Sequence, residues 1–159
     1  MEKNIEIQNK YVIRKMIILI TLLLINFYFS QSKKIVNVLP ITKTHKLGFY
    51  SYDKEFKMYQ EPVILSSGKN YKIQGYDADN YSEGEILSLS PNKRYFVLDY
   101  IIKGYVEDGV NTILHENYLC VIIDINKRKV VMQMQDGCGG SWNKKNQWIY
   151  AEKVRFDGR

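Results

Sequence analysis

The first residues of this 159-residue chain that could form a covalent or metal-binding site are its two cysteines, Cys120 and Cys138. In an exported protein two cysteines ordinarily form a disulfide, and this bond would close a loop of about 18 residues and stabilise the fold by about 3 kcal/mol in the chain-entropy treatment. The strand pattern sets a condition, because Cys120 lies on the strand face opposite Val121, whereas an uninterrupted second strand puts Cys138 on the face of Met134. We therefore expect the bond if that strand ends and Gly137 turns the chain back. The alternative is a buried free Cys120 and a loop Cys138.

The nucleophilic and basic residues of the chain do not match a known catalytic motif. Residues 135–142, QDGCGGSW, resemble the segment around the nucleophile of papain-type cysteine proteases, with Ser141 at the nucleophile's position. The histidine of that family follows more than a hundred residues later, whereas this chain ends seventeen residues after Trp142 and has no histidine there. We read the segment as a glycine-rich loop and predict no catalytic residue, so the protein is expected not to be an enzyme.

Oxygen-rich residues 77–85 are the remaining candidate for a cation site. The loop does not fit an EF-hand, because Tyr81 stands where the third acidic ligand belongs and Ser82 where the glycine belongs. Two cysteines that bond to each other also leave no set of Cys and His ligands for zinc. We predict no metal and no cofactor.

Tyrosine is the outlier of the composition, with thirteen residues in the chain. A ring with a polar tip suits a half-buried position in a β-sheet, and it also suits a surface that binds protein or sugar. Near the glycine-rich loop, Trp142, Trp148 and Tyr150 are the candidates for such a binding surface.

The elements that would position these side chains are β-strands, because short runs rich in Ile, Val, Tyr and Phe alternate with turn residues. The expected strands lie near residues 35–39, 46–52, 57–65, 70–76, 85–89, 95–106, 117–125, 129–136 and 147–156. The pattern predicts an all-β fold, a single antiparallel sandwich or partly open barrel of about eight strands.

The hairpin around Asn126 can be given a register from its apolar alternation. A slip by one residue would turn a whole apolar set to water, so the apolar faces of the two strands must coincide. We predict that Ile125 pairs with Val130, and Ile123 with Met132, across a loop of residues 126–129.

One stretch of about 60 residues carries a family resemblance. Ser90-Pro91 precedes a strand that begins at Tyr95, Asp124 lies near the end of a later strand, and Trp142 follows. This order resembles a single blade of β-propeller repeats. The resemblance implies a local antiparallel meander and no activity, because a propeller needs four or more blades.

Residues 1–32 are expected to be a secretory signal. A basic segment ending at Lys15 precedes an apolar run from Met16 to Phe29, and Ser30 and Ser32 provide small residues for cleavage. The run is shorter than the roughly 20 apolar residues that span a bilayer, so we favour cleavage over the alternative, a single-pass anchor that faces outside.

The mature chain would then be one β-rich domain over residues 33–159, secreted or periplasmic, that touches a membrane only through an uncleaved signal. Removing four basic and two acidic side chains lowers its formal charge from +6 to +4. The basic residues are scattered instead of striped, so nucleic acid is not an expected partner. We predict an exported binding domain that engages a protein, as an inhibitor or immunity-type protein. The alternative is a carbohydrate- or cell-wall-binding module.

Overall fold

A computed structural model describes residues 15–16, 33–136 and 138–159 of the chain. Apart from Lys15 and Met16, the predicted signal segment lies outside the described residues. Within the part described, no helix has the length and apolar character needed to cross a membrane. One compact unit spans Ile35–Arg159.

The unit consists of strands, and the prediction of an all-β antiparallel fold is confirmed. The described residues contain twelve strands, where about eight were expected. In chain order they are β1 Asn37–Pro40, β2 His45–Asp53, β3 Met58–Ser66, β4 Lys69–Lys72, β5 Tyr81–Ser82, β6 Ile86–Leu89, β7 Tyr95–Asp108, β8 Asn111–Asp124, β9 Lys129–Met134, β10 Ser141–Trp142, β11 Gln147–Tyr150 and β12 Lys153–Asp157.

Two antiparallel sheets are formed, and they are not closed into a barrel. The large sheet has nine strands and runs in the order β1-β2-β3-β5-β7-β8-β9, with β4 paired to β3 and β6 paired to β7. The small sheet has the order β10-β11-β12. A parallel bridge joins Gln74, which follows β4, to Lys129 at the start of β9.

The inner halves of β7 and β8 are buried on both faces. On one face Phe96, Leu98 and Val121 pack with residues of β2 and β3 in the main core. On the other, Val97 and Ile122 pack against the small sheet through Trp148. Burial on both faces explains why these segments are nearly continuous apolar runs.

The predicted register of the β8–β9 hairpin is wrong. Ile123 pairs with Val130, and Ile122 with Met132, so β9 carries one extra residue, Val131, at a bulge. The apolar alternation does not determine this register, because both faces of the inner half of β8 are buried. A shift by one residue therefore does not expose a set of apolar side chains to water. The connecting loop is 125–128 instead of 126–129, because Asp124 pairs with Lys129.

The expected last strand, 147–156, is two strands joined by a tight turn. Ala151 and Glu152 have φ values of 48° and 62°. Positive φ is uncommon for residues other than glycine, and no turn residue in the sequence marks this position. Conversely, residues 111–116, which were not assigned to a strand, form the first part of β8.

Candidate functional site

The three aromatic residues predicted to form a binding surface do not lie together on the surface. Trp148 is 0% exposed, which corrects the expectation that its ring is open to a partner. Trp142 and Tyr150 are half-buried. The ring of Trp142 stacks on Tyr95 at 6.1 Å and meets the Trp148 ring edge-on at 5.3 Å. These tryptophans therefore join the small sheet to the large one.

The predicted disulfide between Cys120 and Cys138 is confirmed, with the two Cα atoms 5.5 Å apart. The geometric obstacle disappears because the bulge at Val131 places Cys120 directly across from Met134. The second strand also ends at Met134, so the chain is free to turn before Cys138. The bond fits an oxidising, extracytoplasmic environment.

Within residues 77–85 the acidic side chains are exposed, whereas the Asn80 side chain and the Asp79 carbonyl make hydrogen bonds within the protein. The Asn80 amide donates to the Tyr100 hydroxyl at 2.5 Å, and the Gln60 amide donates to the carbonyl of Asp79 at 3.0 Å. Across the described residues, no group of three or more His, Cys, Asp or Glu side chains could hold a metal ion. The loop is a structural connection beside the core.

A buried carboxylate, Asp99, supports this loop and was not singled out by the sequence patterns. It accepts a hydrogen bond from the Ser82 hydroxyl at 2.6 Å and one from the Glu83 amide at 2.5 Å. Burial raises the pKa of Asp99, and the two hydrogen bonds oppose that rise. The sequence feature that could have indicated Asp99 is the presence of an acidic residue within the apolar run of β7. Its contacts fix the loop, and each of its two oxygens accepts one of these hydrogen bonds.

Seven of the thirteen exposed large apolar side chains of the described residues lie on a two-stranded arm, residues 102–118, in which β7 and β8 continue beyond the core. Its exposed apolar side chains are Ile102, Tyr105, Val106, Val110, Ile113, Leu114 and Tyr118. They occupy both faces, because Val106 pairs with Ile113 and Tyr105 with Leu114. Val110 at the tip is 97% exposed. Exposed apolar side chains grouped on one element in this way are typical of an interaction site.

Polar contacts brace one face of the arm. Lys103 and Glu116 form an ion pair, and the Tyr105 hydroxyl donates to Glu55 at 2.8 Å. The Lys103 ammonium also lies 5.1 Å from the ring centre of Phe56. The Lys103–Glu116 hydrogen bond raises the pKa of Lys103 and lowers that of Glu116, so both remain charged at neutral pH. The turn between β2 and β3 thus holds the base of the arm.

The backbone edges of the arm have no strand beside them in the described chain. On the outer side of β7 the last pairing is Ile101 with Tyr81, and on the outer side of β8 it is Cys120 with Met134. Outside the β7–β8 ladder, the backbone hydrogen bond of the arm joins the Val110 amide to the Asp108 carbonyl. Unpaired strand edges are templates for the addition of another strand.

A cavity of about 270 Å³ lies beside β3 and β4. Two of its polar side chains bond to each other, since the Asn70 amide donates to the Tyr50 hydroxyl at 3.1 Å. A third, the Tyr76 hydroxyl, donates to the carbonyl of Tyr81 at 3.2 Å. These polar groups are already hydrogen-bonded within the protein. The cavity is therefore a weaker candidate for a ligand site than the arm is for a protein-binding site.

No protein family model, no curated protein and no solved structure matches this chain. The arm was not predicted as a site. Its signal in the sequence is the turn dipeptide Asp108-Gly109 between two segments that contain β-branched and aromatic residues, which is typical of a hairpin.

Proposed function

We propose that this chain is an exported, non-catalytic binding domain that engages a protein through the arm of residues 102–118. The observation that carries the proposal is the exposure of apolar side chains on both faces of this ribbon. Water-exposed apolar surface is unfavourable, and a partner that covers it gains the free energy of its burial.

Two further features support the proposal. The disulfide between Cys120 and Cys138 suits a secreted or periplasmic protein. The arm has one lysine and three acidic residues, Glu107, Asp108 and Glu116, which give it a formal charge of −2 within a basic chain. Charge of this kind steers association and selects partners. An inhibitor or immunity-type protein that covers a partner's surface is the role we favour.

The test is capture of a partner by the full chain, expressed for export and immobilised, from an extracytoplasmic extract of its source cells. An arm variant, Ile102→Ser with Val106→Ser and Ile113→Ser, is compared with wild type. The matched control, Val36→Ser with Val38→Ser, removes exposed apolar side chains elsewhere. Circular dichroism checks that all three are folded.

We expect one protein, in fixed stoichiometry, to be retained by wild type and by the control and lost with the arm variant. Equal retention by all three proteins would contradict the arm as the binding element. Retention of all three on insoluble glycan, with no protein captured, would instead identify a carbohydrate-binding module and overturn the proposal.

A further inference from the structure

The outer edge of β7 in the arm has a self-complementary pattern of charge. Residues 102–108 form a seven-residue edge with no strand beside it in the described part of the chain. Successive side chains point to opposite faces, so Lys103, Tyr105 and Glu107 share one face of the ribbon. Lys103 and Glu107 stand at equal distances on either side of Tyr105.

Two copies of such an edge can pair in only a restricted set of registers. A two-fold axis perpendicular to the sheet makes the strands antiparallel and keeps each face on the same side, so directly opposed residues must share a face. Full overlap of residues 102–108 with the same residues of a second copy is centred on Tyr105. This register places Lys103 opposite Glu107 twice, once on each side of the axis.

We propose that the partner of this edge is a second copy of the chain, which adds its own β7 arm in antiparallel register about Tyr105. Both copies of the Lys103–Glu107 pair are then charge-complementary, and opposite charges on directly opposed strand residues stabilise a sheet. Gly104 lies opposite Val106, which leaves room for the valine side chain. The pairing also satisfies the open amide and carbonyl groups of both edges.

The outer edge of β8 does not have this property. Its charged residue is Glu116, and residues 111–118 contain no lysine or arginine. No same-face register of this edge with itself can therefore place a lysine or arginine opposite Glu116. In addition, Glu107 has no ion-pair partner among the described residues, and Lys103, which pairs with Glu116 on the β8 side, would lie between that carboxylate and the Glu107 of the second copy. The charge pattern therefore selects β7 over β8 as the self-pairing edge.

Cysteine cross-linking tests the register directly. The side chains of Tyr105 and Leu114 share one face, because the two residues are paired in the β7–β8 ladder. In the proposed dimer the two Tyr105 positions are adjacent, while the two Leu114 positions lie on the outer strands. We expect Tyr105→Cys to form a covalent dimer under mild oxidation of the full chain, and Leu114→Cys to remain monomeric. The reverse result would overturn the β7 pairing.

Charge exchange provides a second test that does not depend on a new thiol. Lys103→Glu alone, or Glu107→Lys alone, turns two opposite-charge pairs into two like-charge pairs. In sedimentation equilibrium each variant should raise the dimer dissociation constant by about tenfold or more. An equimolar mixture of the two variants restores both opposite-charge pairs between the copies. Because Lys103→Glu also removes the ion pair with Glu116, the mixture should dimerise more tightly than either variant alone and need not reach wild type. Asp108→Lys, with the same charge change on the other face, is the matched control.

The inference rests on the proposed function, because both assign the arm as the contact surface, but the two can fail separately. A chain that stays monomeric at all concentrations, yet captures a different protein through the arm, overturns self-pairing and supports the proposed function. A dimer unaffected by either charge variant and cross-linked equally through Tyr105→Cys and Leu114→Cys overturns the register. A monomer with no arm-dependent capture overturns both.

Discussion

Gly140 packs closely against the indole of Trp148. A Cβ atom at Gly140 would stand 2.6 Å from Cε2 of Trp148 and 2.6 Å from the carbonyl oxygen of Ile149. Both neighbours are held in place, since Trp148 is fully buried and Ile149 is in the small sheet. The close approach of the glycine-rich loop therefore depends on the absence of a side chain at Gly140.

Gly140→Ala should accordingly lower the free energy of unfolding by about 1–3 kcal/mol, because the added methyl forces the loop or the indole to move. The matched control is Gly139→Ala, where an added Cβ meets no heavy atom within 4 Å. Denaturant unfolding of the two variants measures the difference. Equal losses in both would contradict the close packing of Gly140 on Trp148.

Removal of the disulfide by Cys120→Ala with Cys138→Ser should lower the free energy of unfolding by about 3 kcal/mol, because the unfolded chain regains the entropy of the open loop. Unfolding without reductant gives the size of the loss. Addition of a reductant should bring wild type to the stability of the double variant and leave the double variant unchanged. A wild type insensitive to reductant would contradict a stabilising bond.

Asp99 should make stability depend on pH. Its pKa in the folded protein is raised above the ordinary value of 3.8 because of burial, so the folded state holds the proton more tightly than the unfolded state. The contribution of Asp99 to stability therefore falls as pH rises from 3.8 through the folded pKa. In Asp99→Asn this slope should disappear.

Urea unfolding between about pH 3.5 and 7 measures this effect as the stability difference between wild type and Asp99→Asn. We expect the advantage of wild type to shrink as pH rises. Asp79→Asn, which changes an exposed carboxylate of the adjoining loop, is the control and should keep the wild-type slope. Parallel curves for wild type and Asp99→Asn would exclude a raised pKa.

The two ends of β8 should respond differently to the same substitution. Ile122 is fully buried between the sheets, whereas Ile113 lies in the arm and is 50% exposed. Ile122→Ala should cost about 2–5 kcal/mol through lost burial and the cavity left behind, while Ile113→Ala should stay within about 0.5 kcal/mol. Thermal unfolding of the purified variants compares them. A large loss at Ile113 would mean that the arm belongs to the core.

The fold class followed from the sequence because β-branched and aromatic residues alternate with turn residues throughout residues 33–159. Most strands of the large sheet, such as β2 and β3, lie within two residues of their predicted bounds. The pairing of β8 with β9 could not be derived from the sequence. The extra residue Val131 shifts the residues beyond it to the opposite face of the strand, and the apolar pattern does not reveal that shift. A bulge of this kind depends on the tertiary contacts of both faces.

The candidate site was harder to predict than the fold. Tryptophan is a residue type common at binding surfaces, yet the small sheet buries Trp148 completely. Arm residues such as Val106 and Ile113 show the same β-strand pattern as core residues, and only the length of β7 and β8 relative to their neighbours leaves them exposed. Exposure of a strand end is a property of the whole sheet.

The single pairing of Tyr81 with Ile101 divides the backbone ladder of the large sheet into two halves, which share the main core. β7 and β8 share fourteen register pairs, while β5 joins β7 through one pair and β3 through two. Apart from this junction, the bridge between Gln74 and Lys129 is the backbone link between the halves in the described chain. Partial opening along this junction exposes less surface than global unfolding does, so amide hydrogens of β1 to β4 should exchange with solvent sooner than those of the inner halves of β7 and β8.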